Sequence, residues 1–162
     1  MNRMLRFAVI VAGAVAVTAP ALAQQPAAPA PTWPPIVSDY VAAARKTIKT
    51  VDMAGYLAAV KNPNGAILLD IREPEEFAAG HVPGALHIPR GLLEFQIYAK
   101  LGYPKQVDTN KTIYVQCRTG GRATLATADL KKIGFKNPVA VIMNWDDWVK
   151  AGNPVEKQQA SN

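Results

Sequence analysis

An α/β fold with a mostly parallel central sheet and helices on both faces is the architecture this sequence predicts. Three observations predict it. Short apolar runs, Ala66-Ile-Leu-Leu-Asp-Ile71 and Lys111 to Gln116, show the pattern of strands buried on both faces rather than a polar/apolar alternation. The segments between such runs carry apolar residues at helical spacing. Gly, Pro and Asn punctuate the junctions, so strands and helices alternate along the chain, the order that builds parallel strand–helix–strand units. There are no internal repeats.

In order, Ser38 to Thr47 reads as a helix, with Ser38 or Asp39 able to cap its free N–H groups. A short strand at Ile48–Val51 leads to a second helix capped by Asp52, in which Met53, Tyr56, Leu57 and Val60 fall at i, i+3, i+4 and i+7. Gly55 lies inside that helix, at a cost of about 1 kcal/mol against alanine. Asn62-Pro-Asn-Gly65 ends it with turn chemistry, and the Ala66–Ile71 strand follows. Pro74, Glu75 and Glu76 open a brief helix through Ala79, closed by Gly80, where the two glutamates suit the positive end of the dipole. His81 to Pro89 is too punctuated for a helix and holds a short strand around Leu86–Ile88. Leu92 to Leu101 is helical and ends at Gly102. After the Lys111–Gln116 strand, Ala123, Ala126, Leu130 and Ile133 form a helical stripe that Gly134 stops. Val139 to Met143 is a further strand, and Trp145 to Ala151 a last helix, stopped by Gly152.

The ends have a different character. Arg3 and Arg6 precede an apolar run from Phe7 to Val17, then Pro20 and the small-x-small sequence Ala21-Leu22-Ala23, the order of parts in a secretory signal peptide. Phe7 to Val17 is short for a membrane span. The predicted organisation is therefore a signal peptide over 1–23, a Pro/Ala-rich linker over 24–36, one domain over 37–157 and a polar tail over 158–162. The mature chain is expected in the periplasm or secreted, without a stable membrane anchor.

Cleavage after Ala23 leaves 139 of the 162 residues. It removes two of 18 basic residues and none of 12 acidic ones, so the net charge falls from +6 to +4. No dense Lys/Arg run interleaves with aromatics, which argues against nucleic acid as a partner. His81, His87, Glu73, Glu75 and Glu76 have no zinc-ligand spacing, so no metal is expected.

One cysteine, Cys117, is present, and it has no disulfide partner within the chain. A lone cysteine is often a small buried hydrophobe. Here, however, Ile113-Tyr-Val-Gln-Cys117-Arg-Thr-Gly-Gly-Arg122 places the thiol where a buried strand ends and a helix begins. Open α/β sheets bind ligands at that edge. A helix start directs unpaired N–H groups and the positive dipole end at what lies there, which favours thiolate over thiol. Gly120 and Gly121 permit a tight loop whose N–H groups face inward, and Arg118 and Arg122 add fixed positive charge. Cys117 is therefore the candidate nucleophile, with Arg118, Thr119, Gly120, Gly121 and Arg122 as the candidate binding loop.

Four segments in this order resemble the rhodanese (sulfurtransferase) family over residues 47–156. They are Leu68-Leu-Asp-Ile-Arg-Glu-Pro-Glu-Glu-Phe77, Gly80-His-Val-Pro-Gly-Ala-Leu-His-Ile-Pro89, Cys117-Arg-Thr-Gly-Gly-Arg122, and Trp145-Asp-Asp-Trp148 with Gly152-Asn-Pro154. The resemblance implies a rhodanese-like fold and a persulfide mechanism without metal or organic cofactor. Cys117 would take sulfane sulfur from a small anionic donor such as thiosulfate and pass it to a thiol or cyanide, with Arg118 and Arg122 orienting the donor. The alternative is a persulfide carrier that serves a protein sulfur acceptor and barely turns over small donors. Phosphatases and arsenate reductases of this fold have an active loop one residue longer; the four residues between Cys117 and Arg122 match the sulfurtransferase spacing. Met143-Asn144 stands where the family often has a glycine pair, a change expected to reshape one wall of the pocket.

The remaining candidates have blander readings. Asp70 and Arg72 are supporting residues at most, and a charge pair holding the turn is preferred. His81 is expected to hydrogen-bond locally, and His87 to be structural. Trp145 and Trp148, three apart, read as core.

Overall fold

The computed structural model describes residues 33–157, so the predicted signal peptide, most of the linker and the tail lie outside the described residues. Five strands, β1 (Lys49–Val51), β2 (Ile67–Asp70), β3 (Leu86–His87), β4 (Thr112–Gln116) and β5 (Asn137–Val141), form one sheet in the order β1-β5-β4-β2-β3. All four strand pairs are parallel. The helices are α1 (Pro35–Arg45), α2 (Met53–Lys61), α3 (Pro74–Ala79), α4 (Leu93–Lys100), α5 (Gly121–Lys132) and α6 (Trp145–Lys150), with a 3₁₀ turn at Arg90–Leu92 before α4.

Successive side chains of a strand point to opposite faces, and both faces are covered here. Leu69, Ile113, Val115 and Ala140 join Ile97, Ala126 and Leu130 in one buried cluster. Their neighbours Leu68 and Val141 join Tyr56, Trp145 and Trp148 in another, with Tyr114 packed against it. This double coverage is why the strands read as unbroken apolar runs.

Local differences from the sequence reading have physical reasons. α1 starts at Pro35, ahead of Ser38, because a proline fits the first helical position, where its missing N–H would be unpaired anyway. Ser38 caps nothing; its Oγ accepts from Trp33 Nε1 at 3.1 Å. β5 covers Asn137–Val141 rather than 139–143, so it includes Pro138. That proline is tolerated one residue before β1 begins to pair, at Lys49↔Val139. Asp52 does cap α2, accepting from Gly55 N–H at 2.8 Å. Gly55 has a reason that no propensity scale contains: a Cβ there would run into Val51 Cγ2.

Because the strands are parallel, their carboxyl ends share one edge. β2 runs into Ile71 and Arg72, β4 into Cys117, and β5 into Ile142–Asn144. Ile71 N–H donates to Gln116 O at 3.0 Å, and Trp145 N–H to Arg118 O at 2.8 Å, which fixes the three exits together.

Candidate active site

Cys117 follows β4 directly and is 1 % exposed. Its Sγ accepts the N–H of Gly120 at 3.2 Å and of Ala123 at 3.3 Å. The loop closes so tightly because Gly120 adopts φ +86°, a left-handed conformation that glycine takes without strain. A side chain at Gly120 would also meet Ile142 Cα at 3.2 Å and Val141 O at 3.3 Å, whereas Gly121 faces open space.

The loop carbonyls are tied away from the sulfur. Gln116 Nε2 donates to Cys117 O at 2.9 Å, Trp145 N–H to Arg118 O, and the Thr124 hydroxyl to Gly120 O at 2.8 Å. With carbonyls turned outward, N–H groups face the sulfur, and α5 begins immediately behind it. Such a cradle stabilises a sulfur anion.

The two loop arginines are engaged by carboxylates. Arg118 Nη2 pairs with Asp146 Oδ2 at 2.7 Å, in an exposed bridge. Arg122 makes a two-point contact with Glu76, at 2.7 and 2.9 Å, and meets Glu73 at 3.5 Å. The hydrogen bond to Glu76 raises the Arg122 pKa against the opposing effect of burial, and the charge of Cys117 acts in the same direction as Glu76. Burial pushes the Glu76 carboxyl up, but hydrogen bonds from Arg122 and from Glu73 N–H outweigh it and leave the pKa below its ordinary value. Thr119 is exposed at the loop's outer turn.

Asp70 and Arg72 stand at the next strand end. Arg72 Nε donates to both Asp70 oxygens at 3.1 and 3.0 Å, and Nη2 to Asp70 Oδ2 and Gly80 O, each at 2.7 Å. The pair is 0 and 1 % exposed, and the guanidinium lies 4.1 Å from the centre of the Trp145 ring. Its polar atoms are directed into the turn. His81 and His87 both stack on the Phe77 ring, with centroids 3.7 and 4.1 Å from it; His81 bonds to Phe77 O and Glu156, and His87 to Arg72 O. Met143 is buried in the Tyr56 cluster, and Asn144 caps α6 by accepting from Asp146 N–H at 2.9 Å. Among the described residues, no group of three or more His, Cys, Asp or Glu comes together to hold a metal.

Sequence reasoning missed Gln116, Thr124 and Asp146 as site residues and gave Glu76 only a helix-terminal role. Gln116 and Thr124 carried a weak signal, being polar positions in a buried strand end and a buried helix stripe.

A thiol set at the head of a helix, at the carboxyl edge of a parallel sheet and with main-chain N–H groups on its sulfur, defines an α/β protein equipped for thiolate chemistry. Residues 53–151 match the family described as rhodanese-like domain, and the chain belongs to it. A Bacillus subtilis protein named for a sulfur-carrier role is 30% identical over 102 residues, covering 63% of this chain and 51% of its own. The chain thus spans about half the length of that relative. Thiosulfate sulfurtransferase 16 of the Arabidopsis thaliana chloroplast is 34% identical over 95 residues, 54% of this chain and 78% of its own. Among solved structures, the polysulfide-sulfur transferase homodimer of Wolinella succinogenes aligns with TM-score 0.60 and 28% identity, over 79% of this chain and 92% of its own. A Rhodopseudomonas palustris protein of unknown function, described as a possible tyrosine phosphatase, aligns with TM-score 0.64 and 26% identity, over 81% and 100%. Family membership supports sulfur transfer as the general activity.

Proposed function

We propose that this protein is a sulfurtransferase that moves sulfane sulfur from a donor such as thiosulfate to a thiophilic acceptor through a persulfide on Cys117. The carrying observation is the sulfur itself, which accepts two main-chain N–H groups at the start of α5. In the first step the Cys117 thiolate attacks the outer sulfur of thiosulfate. A sulfur–sulfur bond to Cys117 forms, the bond between the two donor sulfurs breaks, and sulfite leaves with the electron pair. Negative charge then rests on the terminal sulfur of the persulfide. A thiol or cyanide attacks that sulfur and returns Cys117 as thiolate. Such two-step covalent transfer gives ping-pong kinetics. Arg118, Thr119, Gly120, Gly121 and Arg122 form the binding loop in this reading, and Asp70 and Arg72 support its floor.

Intact mass before and after incubation with thiosulfate tests it. The expected result is a gain of one sulfur atom that a thiol reductant removes and that Cys117→Ser lacks. No gain in a folded, reduced sample would remove thiosulfate as donor.

A second reading, a persulfide carrier serving a protein acceptor, is favoured by the carrier relative and uses the same stabilised sulfur. A stoichiometric partner combined with negligible thiosulfate turnover would select it. The phosphatase reading has a structural neighbour in its favour, but the four-residue spacing from Cys117 to Arg122 supports sulfur transfer. We also propose export to the periplasm or medium, on the residue order of positions 1–23. N-terminal sequencing of the secreted chain would begin at Gln24.

A further inference from the structure

Every arginine placed just after a strand end is already matched by a carboxylate. Asp70 holds Arg72, Glu94 and Asp129 hold Arg90, Asp146 holds Arg118, and Glu76 with Glu73 holds Arg122. The first turns of α3 and α6 add Glu75 and Asp147, both exposed. Arg118 and Arg122, the two cations of the Cys117 loop, are therefore held by three carboxylates, Asp146, Glu76 and Glu73. Arg45 is the remaining guanidinium near the loop, and its Nε donates to Thr124 Oγ1 at 3.4 Å.

A dianion approaching this thiolate has to displace Asp146 from Arg118 or compete with the two-point contact of Glu76 on Arg122. It does so against the like charge of the surrounding carboxylates and of the thiolate. A donor that carries positive groups beside its sulfane sulfur meets the reverse, because the exposed Glu73 and Asp146 attract it, and a neutral donor escapes the repulsion.

We propose that Glu73 and Asp146 are specificity-determining residues that bias Cys117 toward persulfides on neutral or cationic carriers and against dianionic donors. This rests on the sulfur-transfer reading and narrows its donor, so that thiosulfate, a dianion, is a slow donor and not the preferred one. The step is balanced without an oxidant: the Cys117 thiolate attacks the outer sulfur of the carrier's persulfide, the carrier's sulfur–sulfur bond breaks, and the carrier leaves as a thiolate.

The test measures the rate of single-sulfur gain on Cys117 by quenched mass spectrometry, using the full chain and donors that differ in terminal charge. Cysteamine persulfide and 3-mercaptopropionate persulfide share the reacting group and differ in an ammonium against a carboxylate. At low salt the expected loading from the cysteamine donor is about tenfold faster, with the ratio shrinking at high ionic strength as exposed charges are screened. Glu73→Gln combined with Asp146→Asn, both at exposed positions, should shrink the ratio too and raise loading from thiosulfate severalfold. A persulfide on a lysine-flanked cysteine peptide separates the sources. Loading faster than from cysteamine points to a basic protein carrier, and no faster to a small aminothiol. Equal or faster loading from the carboxylate donor, or a ratio unmoved by the double substitution, would overturn the proposal. Absence of sulfur gain from every donor would overturn the sulfur-transfer reading, and this proposal with it.

Discussion

Two neighbouring strand ends of this molecule use polar groups in opposite ways. At the end of β2, Asp70 and Arg72 satisfy each other and the Gly80 carbonyl in full burial. At the end of β4, paired in register with β2 through Asp70↔Gln116, the loop carbonyls are tied back and the N–H groups converge on one sulfur. The first arrangement is closed, with its capacity for bonding directed inward. The second presents donors to an atom whose charge can change partners. Buried charge pairs are weak contributors to stability but severe liabilities when one member is lost, so the β2 turn should govern folding and the β4 loop chemistry.

The comparison is broken most directly at the sulfur. Cys117→Ser should abolish sulfur transfer while leaving the cooperative unfolding transition in place, because the hydroxyl is nearly the same size and remains within reach of the Gly120 and Ala123 N–H groups. A thiosulfate–cyanide assay with parallel thermal melts checks both halves. Retained transfer would place the chemistry elsewhere.

Asp70→Ala should give the opposite signature. It strands the Arg72 guanidinium at 1 % exposure, which costs about 3–5 kcal/mol. Replacing both members, Asp70→Leu with Arg72→Met, should cost less than the single change, because no unpaired charge remains. Urea melts of the two variants decide this.

Gly120→Ala lies between these extremes, since Gly120 belongs to the loop but packs on the β5 exit. An alanine at φ +86° is strained, and its Cβ would press on Ile142 Cα at 3.2 Å, a backbone atom with little freedom to yield. The expected loss is about 1–3 kcal/mol in stability, together with reduced transfer, as Gly120 N–H is drawn from the sulfur. Unchanged kinetics in a destabilised protein would show that this N–H is not needed.

What the sequence made legible follows the range of each interaction. Local chemistry was readable: Asp52 as the α2 cap, the glycine stops, the unalternating strands, and Cys117 at a strand–helix junction. The ion-pair partners were not. Asp146 meets Arg118 across 28 residues and Glu76 meets Arg122 across 46, and only the shared strand edge brings them together. The arginines thus read as free cations for a donor, whereas in the fold each has a carboxylate. Gly55 shows the same limit in packing, because its need for a bare Cα comes from Val51 Cγ2 rather than from the helix pattern. Met143-Asn144 read as a departure at the pocket wall; in the fold Met143 also packs in the Tyr56 cluster and the Asn144 side chain also caps α6.

The smallest effect comes from Glu76, which belongs to both regions: it opens α3 after the β2 turn and grips Arg122 of the β4 loop. Its pKa lies below the ordinary 4.5 in the folded state, since the Arg122 and Glu73 N–H bonds outweigh burial. A carboxyl depressed on folding adds stability that is complete above its unfolded value and disappears as pH falls through the folded one. Unfolding free energy should therefore decline between pH 4.5 and the lower folded value, modestly because the pair is solvent-accessible. Glu76→Gln removes this titration while leaving an oxygen to accept from Glu73 N–H, now 3.1 Å from the carboxylate. The variant should be slightly less stable at neutral pH and less sensitive to acid through that window, as read from urea midpoints across pH. An unaltered acid slope would mean that Arg122 is held by the loop itself, and that the carboxylate merely accompanies it.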